Sequence, residues 1–290
     1  MSKRWLLIAL CLSLLIQGGC AAAQELVPEE QNPTPQWTYP VSLEALNQDY
    51  IRLVNQANLL PSNYVPEDLI KISAKKTSST PIQMREIAST ALSEMFAAAL
   101  NDGITLYAHS GYRSYQTQKT MYYNRLEKNG GKDDGVVALP GASDHQSGLG
   151  IDVISKEWIG KKFNAGFADT PEAQWMYDHC AEYGYIVRYP MDKGDITGII
   201  FEPWHLRYVG VEAATYIMEK GMVLEEFTTE WQQAVADFEA AGGNAQQTMT
   251  GLDTVGDDPQ QATVEEQLPE DPVTTELVGE DGDPEVTLFH

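Results

Sequence analysis

Ser143-Asp144-His145-Gln146-Ser147-Gly148-Leu149-Gly150-Ile151-Asp152-Val153-Ile154 is the stretch on which the fold turns. A short apolar run after glycine-rich punctuation reads as a buried strand, here Gly148–Ile154. Gly148 and Gly150 let the backbone turn sharply or pass close to other groups. A strand also fits the interval from His145 to Asp152, and would set the carboxylate in a cleft with a side chain from a neighbouring strand. That neighbour is predicted at Gly198-Ile199-Ile200-Phe201, with Glu202-Pro203-Trp204-His205 at its exit.

Working outward, Met84, Ile87, Ala88, Ala91, Leu92, Met95, Phe96 and Leu100 recur at three- and four-residue intervals, which predicts a helix over Ile82–Asn101 stopped by Asn101-Asp102-Gly103. Ile104–Ala108 alternates like a strand and delivers His109-Ser110-Gly111-Tyr112-Arg113-Ser114. Helices are predicted at Tyr115–Lys128, Pro171–Tyr183 and Val211–Lys220, with a strand at Tyr185–Tyr189. Tyr50–Asn55 reads as a short strand or helix, followed by a Pro-punctuated wrap through Leu60-Pro61 and Val65-Pro66. Mixed helices and short strands with glycine-rich connections predict an α+β fold, an antiparallel sheet with helices packed on one side. The domain is expected to span 43–220. A further helix over 221–241 is expected because Phe227, Trp231, Val235 and Phe238 keep helical spacing.

Both ends differ from this body. Lys3 and Arg4 precede the apolar run Trp5–Ile16, too short to span a bilayer, so 1–23 reads as an export signal. Ala21-Ala22-Ala23 offers a signal-peptidase site, and Gly18-Gly19-Cys20 a lipoprotein box with Gln17 in an unusual place. A membrane-anchored lipoprotein, lipidated at Cys20, is slightly favoured over a secreted protein, and either works outside the cytoplasm in the cell envelope. Residues 24–42, rich in Pro, Gln and Glu, read as a linker. With three cysteines, Cys11 and Cys20 in or beside the signal and Cys180 in the body, no disulfide framework is expected. The net charge of −23 is unevenly spread: all 19 Lys and Arg precede Gly221, whereas 17 of the 42 acidic residues follow Lys220. Residues 242–290 are too poor in large apolar side chains to offset their ordering entropy, which predicts a disordered acidic tail. So acidic a chain is not expected to bind nucleic acid. A monomer is expected.

The chemistry lies in four residues. His145, Asp152 and His205 offer two imidazoles and a carboxylate, the ligand types of a catalytic zinc site that leaves a fourth position for water. Glu202 is then placed to take that water's proton. Singly, each has a plainer reading: a hydrogen-bonding loop histidine, a strand-end aspartate, a solvated acid. Jointly, two motifs each ending a strand favour metal-assisted hydrolysis. Arg113, permanently charged at a strand exit, suits a substrate carboxylate or a developing oxyanion. Ser143, Gln118 and Trp204 are candidates for substrate binding: Ser143 to hydrogen-bond a ligand or the substrate, Gln118 to line the cleft, and Trp204 to wall it. A core aromatic is the plainer reading of Trp204. His109 is read as structural, and His179 beside Cys180 as a pair whose side chains leave a helix in different directions.

These motifs resemble the VanY-type D-alanyl-D-alanine carboxypeptidases, zinc metallopeptidases related to lysostaphin-like and hedgehog-like proteins. The resemblance rests on Leu53-Val54-Asn55, Leu60-Pro61, Tyr64-Val65-Pro66, Ser110–Ser114, the SxHxxGxxxD segment Ser143–Asp152, and Glu202–Gly210. It implies the hedgehog/D-Ala-D-Ala-peptidase fold, zinc held by His145, Asp152 and His205, Glu202 as base, and Arg113 on the substrate. The implied substrate is the peptidoglycan stem peptide, and the implied product its shortened form with free D-alanine. Gly150 departs from the alanine usual in the pattern, a loss of one methyl group that is expected to loosen the strand. Two rival readings are an endopeptidase or D-alanyl-D-alanine dipeptidase, and a non-catalytic zinc-stabilised wall-binding module. The presence of Glu202, a base that a binder does not need, disfavours the module.

Overall fold

The computed structural model describes residues 35–245, so the segment read as an export signal and almost all of the acidic tail lie outside the described residues. The strands are β1 (Leu69–Lys71), β2 (Gln83–Arg85), β3 (Tyr107–Ser110), β4 (Gly150–Ile154), β5 (Tyr185–Tyr189) and β6 (Glu202–Tyr208). The helices are α1 (Leu43–Leu46), α2 (Glu86–Asn101), α3 (Tyr115–Lys128), α4 (Pro171–His179), α5 (Gly194–Thr197), α6 (Val211–Lys220) and α7 (Leu224–Ala240). β1 and β2 form a small antiparallel pair, and the main sheet is antiparallel in the order β3-β4-β6-β5.

Side-chain alternation splits the main sheet into two environments. Ile151, Val153, Leu206, Tyr185 and Val187 point to one face and pack with Leu92, Met95 and Phe96 of α2 and Ala173 and Met176 of α4. Ile186 belongs to a second apolar cluster, formed with Ala213, Ala214 and Ile217 of α6 and Leu224, Phe227 and Trp231 of α7. Trp37, Tyr39 and Val41, from the segment read as a linker, pack into that same cluster. α7 is therefore built into the body. Among the described residues no helix is long and apolar enough to cross a membrane.

Local chemistry sets the element ends. Ser114 accepts from the Thr117 amide at the start of α3, and Thr170 does the same for Ala173 in α4, where Pro171 fills the first helical position. Four expectations are corrected. β3 takes Tyr107–Ser110 rather than Ile104–Ala108, so His109 and Ser110 lie within the strand and not beyond its end. β2 takes Gln83–Arg85, so α2 begins at Glu86 rather than Ile82. The predicted helix Pro171–Tyr183 leaves α-geometry after His179 and finishes as a 3-10 turn closed by Gly184 at φ 77°. The strand expected at Gly198–Phe201 instead begins at Glu202, because Gly198 at φ 73° closes α5. His205 thus lies mid-strand, paired across the sheet with Asp152.

Candidate metal centre and active-site cleft

The sheet register assembles the site. Ser110 of β3 stands opposite Asp152 of β4, and Asp152 stands opposite His205 of β6. Directly opposed residues share a face, so Asp152 and His205 meet without any loop having to fold over them. His145 reaches the same point from a 3-10 turn, Asp144–Ser147, ended by Gly148 at φ 70°. Its Nδ1 bonds the Gly111 carbonyl oxygen at 2.7 Å, which fixes a proton there and turns Nε2 toward Asp152 Oδ2, 3.4 Å away. On the other side His205 Nδ1 lies 2.9 Å from Asp152 Oδ1. One ligand atom from each of His145, Asp152 and His205 falls within 4.8 Å of the others, and all three residues are buried. Two imidazoles and a carboxylate with facing ligand atoms form a candidate metal-binding triad, and the donor set suits zinc.

The cleft around the triad, about 70 Å³, is lined by Arg113, Gln118, Ser143, Glu202 and Trp204 among others, so every predicted site residue borders one space. Gln118 is buried, and both ends of its amide are engaged: Arg113 Nη1 donates to Oε1 at 2.9 Å, and Nε2 donates to the Ala138 carbonyl at 2.7 Å. It orients Arg113, whose Nη2 also donates to Ser110 Oγ at 3.2 Å. Trp204 packs on Phe163, ring centroids 5.1 Å apart, and walls the cleft. A larger apolar groove, about 370 Å³ beside β5 and α6, is lined by no His, Cys, Asp or Glu.

The electrostatics follow from burial among charges. Burial pushes Glu202 up to about 8, with the Asp152 carboxylate adding to the rise and His205 and Arg113 opposing it. Burial also opposes ionisation of Asp152, but the His145 and His205 imidazoles outweigh it and hold the carboxyl well below the usual range. Burial and the Arg113 cation lower His145. Burial would lower His205 as well, yet Asp144 and Asp152 raise it to about 9.

Residues outside the expected set complete the surroundings. Asp144, fully buried, receives Arg188 Nε at 3.0 Å and Arg207 Nη1. Tyr189 stacks on His205 with centroids 5.1 Å apart. The signal was present in the sequence: an arginine inside each of two apolar strands needs a buried anion. Gly150 does not loosen β4. A methyl group there would come within 3.0 Å of Asp144 Cβ, so the turn bearing His145 fills that space. His109 bonds Thr77 and packs on Phe163, outside the triad. His179 pairs with Glu182, while Cys180 is buried in the core with its thiol pushed up by burial to about 12.

The model of the VanY family, D-alanyl-D-alanine carboxypeptidase, matches residues 81–211. The solved structure of a vancomycin-resistance D,D-pentapeptidase VanY of the VanB-type cassette, in complex with Zn(II), is 33% identical, covers 62% of this chain and 98% of its own, and superposes with TM-score 0.51. The chain belongs to the VanY family. The LdcB LD-carboxypeptidase, whose structure concerns peptidoglycan recognition, is 40% identical with TM-score 0.60, covering 63% of this chain and 87% of that one. Bacillus subtilis (strain 168) YodJ is 42% identical over 184 residues, 62% of this chain and 67% of YodJ. This VanY-family member is a carboxypeptidase-class enzyme.

Proposed function

We propose that this VanY-family protein is a zinc-dependent D-alanyl-D-alanine carboxypeptidase that removes the terminal D-alanine from peptidoglycan stem peptides. The observation that carries the reading is the convergence of the triad, Glu202 and Arg113 on one cleft. His145 Nε2, an Asp152 oxygen and His205 Nδ1 would hold the ion. When bound, it supplies Lewis-acid activation of water and of the scissile carbonyl. The charge of a cation held by the triad would favour the carboxylate of Glu202 over the acid that burial favours in its absence. As carboxylate, Glu202 takes a proton from the attacking water as the new C–O bond forms. Arg113, held by Gln118 and Ser110, faces the substrate's anionic oxygen, and Trp204 screens the cleft from bulk water. As the C–N bond breaks, Glu202 returns the proton to the departing D-alanine amine. The export signal read at 1–23 supports a cell-envelope setting, with lipidation at Cys20 as its anchored form.

A second reading, hydrolysis of the L,D bond of a tetrapeptide stem, is favoured by the likeness to LdcB. Both reactions release one D-alanine and use the same groups. D-alanine release by the full chain from muramyl pentapeptide and from muramyl tetrapeptide, with zinc and after chelation, separates them. Zinc-dependent release from pentapeptide is expected and would support the D,D assignment. Release from tetrapeptide alone would replace it with the L,D one, and intact peptides despite bound zinc would overturn both.

A further inference from the structure

Metal-ligating histidines commonly donate their second ring N–H to a fixed acceptor, which sets both tautomer and ring orientation. His145 does so through Gly111. For His205, whose Nδ1 faces Asp152, the second nitrogen is Nε2, buried and without a hydrogen-bond partner. The anion on that side is Asp144, its Oδ2 3.9 Å from Nε2, an electrostatic contact beyond hydrogen-bond length.

Asp144 is itself fixed from behind. Arg207 clamps one of its oxygens while donating to the carbonyls of Tyr50 at 3.1 Å and Arg52 at 2.7 Å. Arg188 holds the other oxygen and makes a bidentate pair with Glu225 of α7, at 2.8 and 2.7 Å. The side chains of Asp144, Arg188 and Arg207 are completely buried, and that of Glu225 is 11% exposed. These two acids and two guanidinium groups sum to zero charge directly behind the proposed cation site.

We propose that Glu225, which lies beyond the span matched by the family model, is a positioning residue for the metal centre. Through Arg188 it holds Asp144 where it aligns His205, and its charge cancels a guanidinium that would otherwise repel a bound cation. The inference rests on the metal reading above. Loss of the Glu225 charge leaves one uncompensated buried cation behind the triad and frees Arg188 to shift, so both effects weaken metal binding.

The test is Co(II) titration of full-length chains, followed by the visible spectrum and by competition with a chelating dye, for wild type, Glu225→Gln and Phe227→Leu. Phe227 is fully buried in the same helix, in the apolar cluster with α6, and its side chain has no polar atom to bond the four charges, so its variant reports what loosening α7 does by itself. The expected result is affinity about 10-fold or more weaker in Glu225→Gln, with an altered cobalt spectrum. Phe227→Leu should lose thermal stability and keep wild-type affinity and spectrum. Wild-type affinity in Glu225→Gln, or equal weakening in both variants, would overturn the proposal. Failure of the wild type itself to bind cobalt would instead overturn the metal reading.

Discussion

Glu202, the base in the proposed reaction, carries a cost in stability that depends on pH. Burial first, then Asp152, raises its pKa to about 8, so the folded protein holds a proton that the unfolded chain releases above its ordinary value near 4.5. Stability contributed in this way falls as pH rises from 4.5 through 8. Glu202→Gln keeps the shape and removes the titration. D-alanine release is expected to fall by about 10²–10⁴-fold with bound zinc unchanged. The chelated variant should melt about 2–8 °C above wild type near pH 9, and at the wild-type temperature near pH 4.5. Undiminished turnover would remove Glu202 from the role of base. Arg113 permits a separate test, since its two terminal nitrogens go to different partners, Gln118 and Ser110. Lysine keeps the charge and loses the planar fork. Arg113→Lys is expected to lower kcat/KM by about 10–100-fold with metal content intact. A change below twofold would show that point charge alone suffices.

At the scale of elements, the close approach of β2 to the Ser110–Ser114 loop sets the orientation of His145. A Cβ on Gly111 would stand 2.5 Å from the Gln83 carbonyl oxygen, so backbone must move. The Gly111 carbonyl that anchors His145 Nδ1 moves with it. Gly111→Ala is expected to cost about 1–3 kcal/mol in denaturant unfolding and to weaken zinc binding about tenfold. Gly103, at φ 80° with open space around it, is the comparison: its alanine variant should be destabilised while binding zinc as wild type. Equal affinities in the two would separate the loop from the metal site. The same elements show what the sequence makes legible. α3 and α6 have the predicted bounds, Tyr115–Lys128 and Val211–Lys220, because polar–apolar spacing and terminal glycines or caps mark them. β6 was displaced because Trp204–Tyr208 are buried on both faces, so no alternation marks the strand. His145, Asp152, Glu202 and His205 were legible through ligand chemistry and motif spacing. An arginine inside apolar β5 signals a buried anion, but that Asp144 and Glu225 supply it is set only by tertiary packing and is not legible.

Over the whole molecule, the buried charges make the stability of the metal-free protein a function of pH whose direction can be worked out. His205, raised by Asp144 and Asp152 against burial to about 9, contributes stability that is fully present below its unfolded value near 6.5 and is lost as pH rises through 9. Glu202 acts in the same direction between 4.5 and 8. Asp152 is held low by His145 and His205, and Asp144 by Arg207 and Arg188, each against burial. Their contributions are present above about 4 and are lost as pH falls below it. His145, lowered by burial and the Arg113 cation, acts on the acid side: below about 6.5 the unfolded chain binds its proton and the folded protein does not, so stability falls there as pH drops. Chelated protein should therefore be most stable between about pH 5 and 6.5 and weaken on both sides. At the proposed site a bound cation would compete with the His205 proton, so its affinity would rise with pH, and binding to the folded state alone would add stability that grows with the logarithm of free ligand over Kd. The melting temperatures of chelated and zinc-saturated full-length protein are expected to draw apart between about pH 5 and pH 9, the loaded form holding its stability where the metal-free form declines. Differential scanning calorimetry across that range checks this directly. A gap that stayed constant or narrowed would mean that His205 does not exchange a proton for the ion, and would remove it from the ligand set.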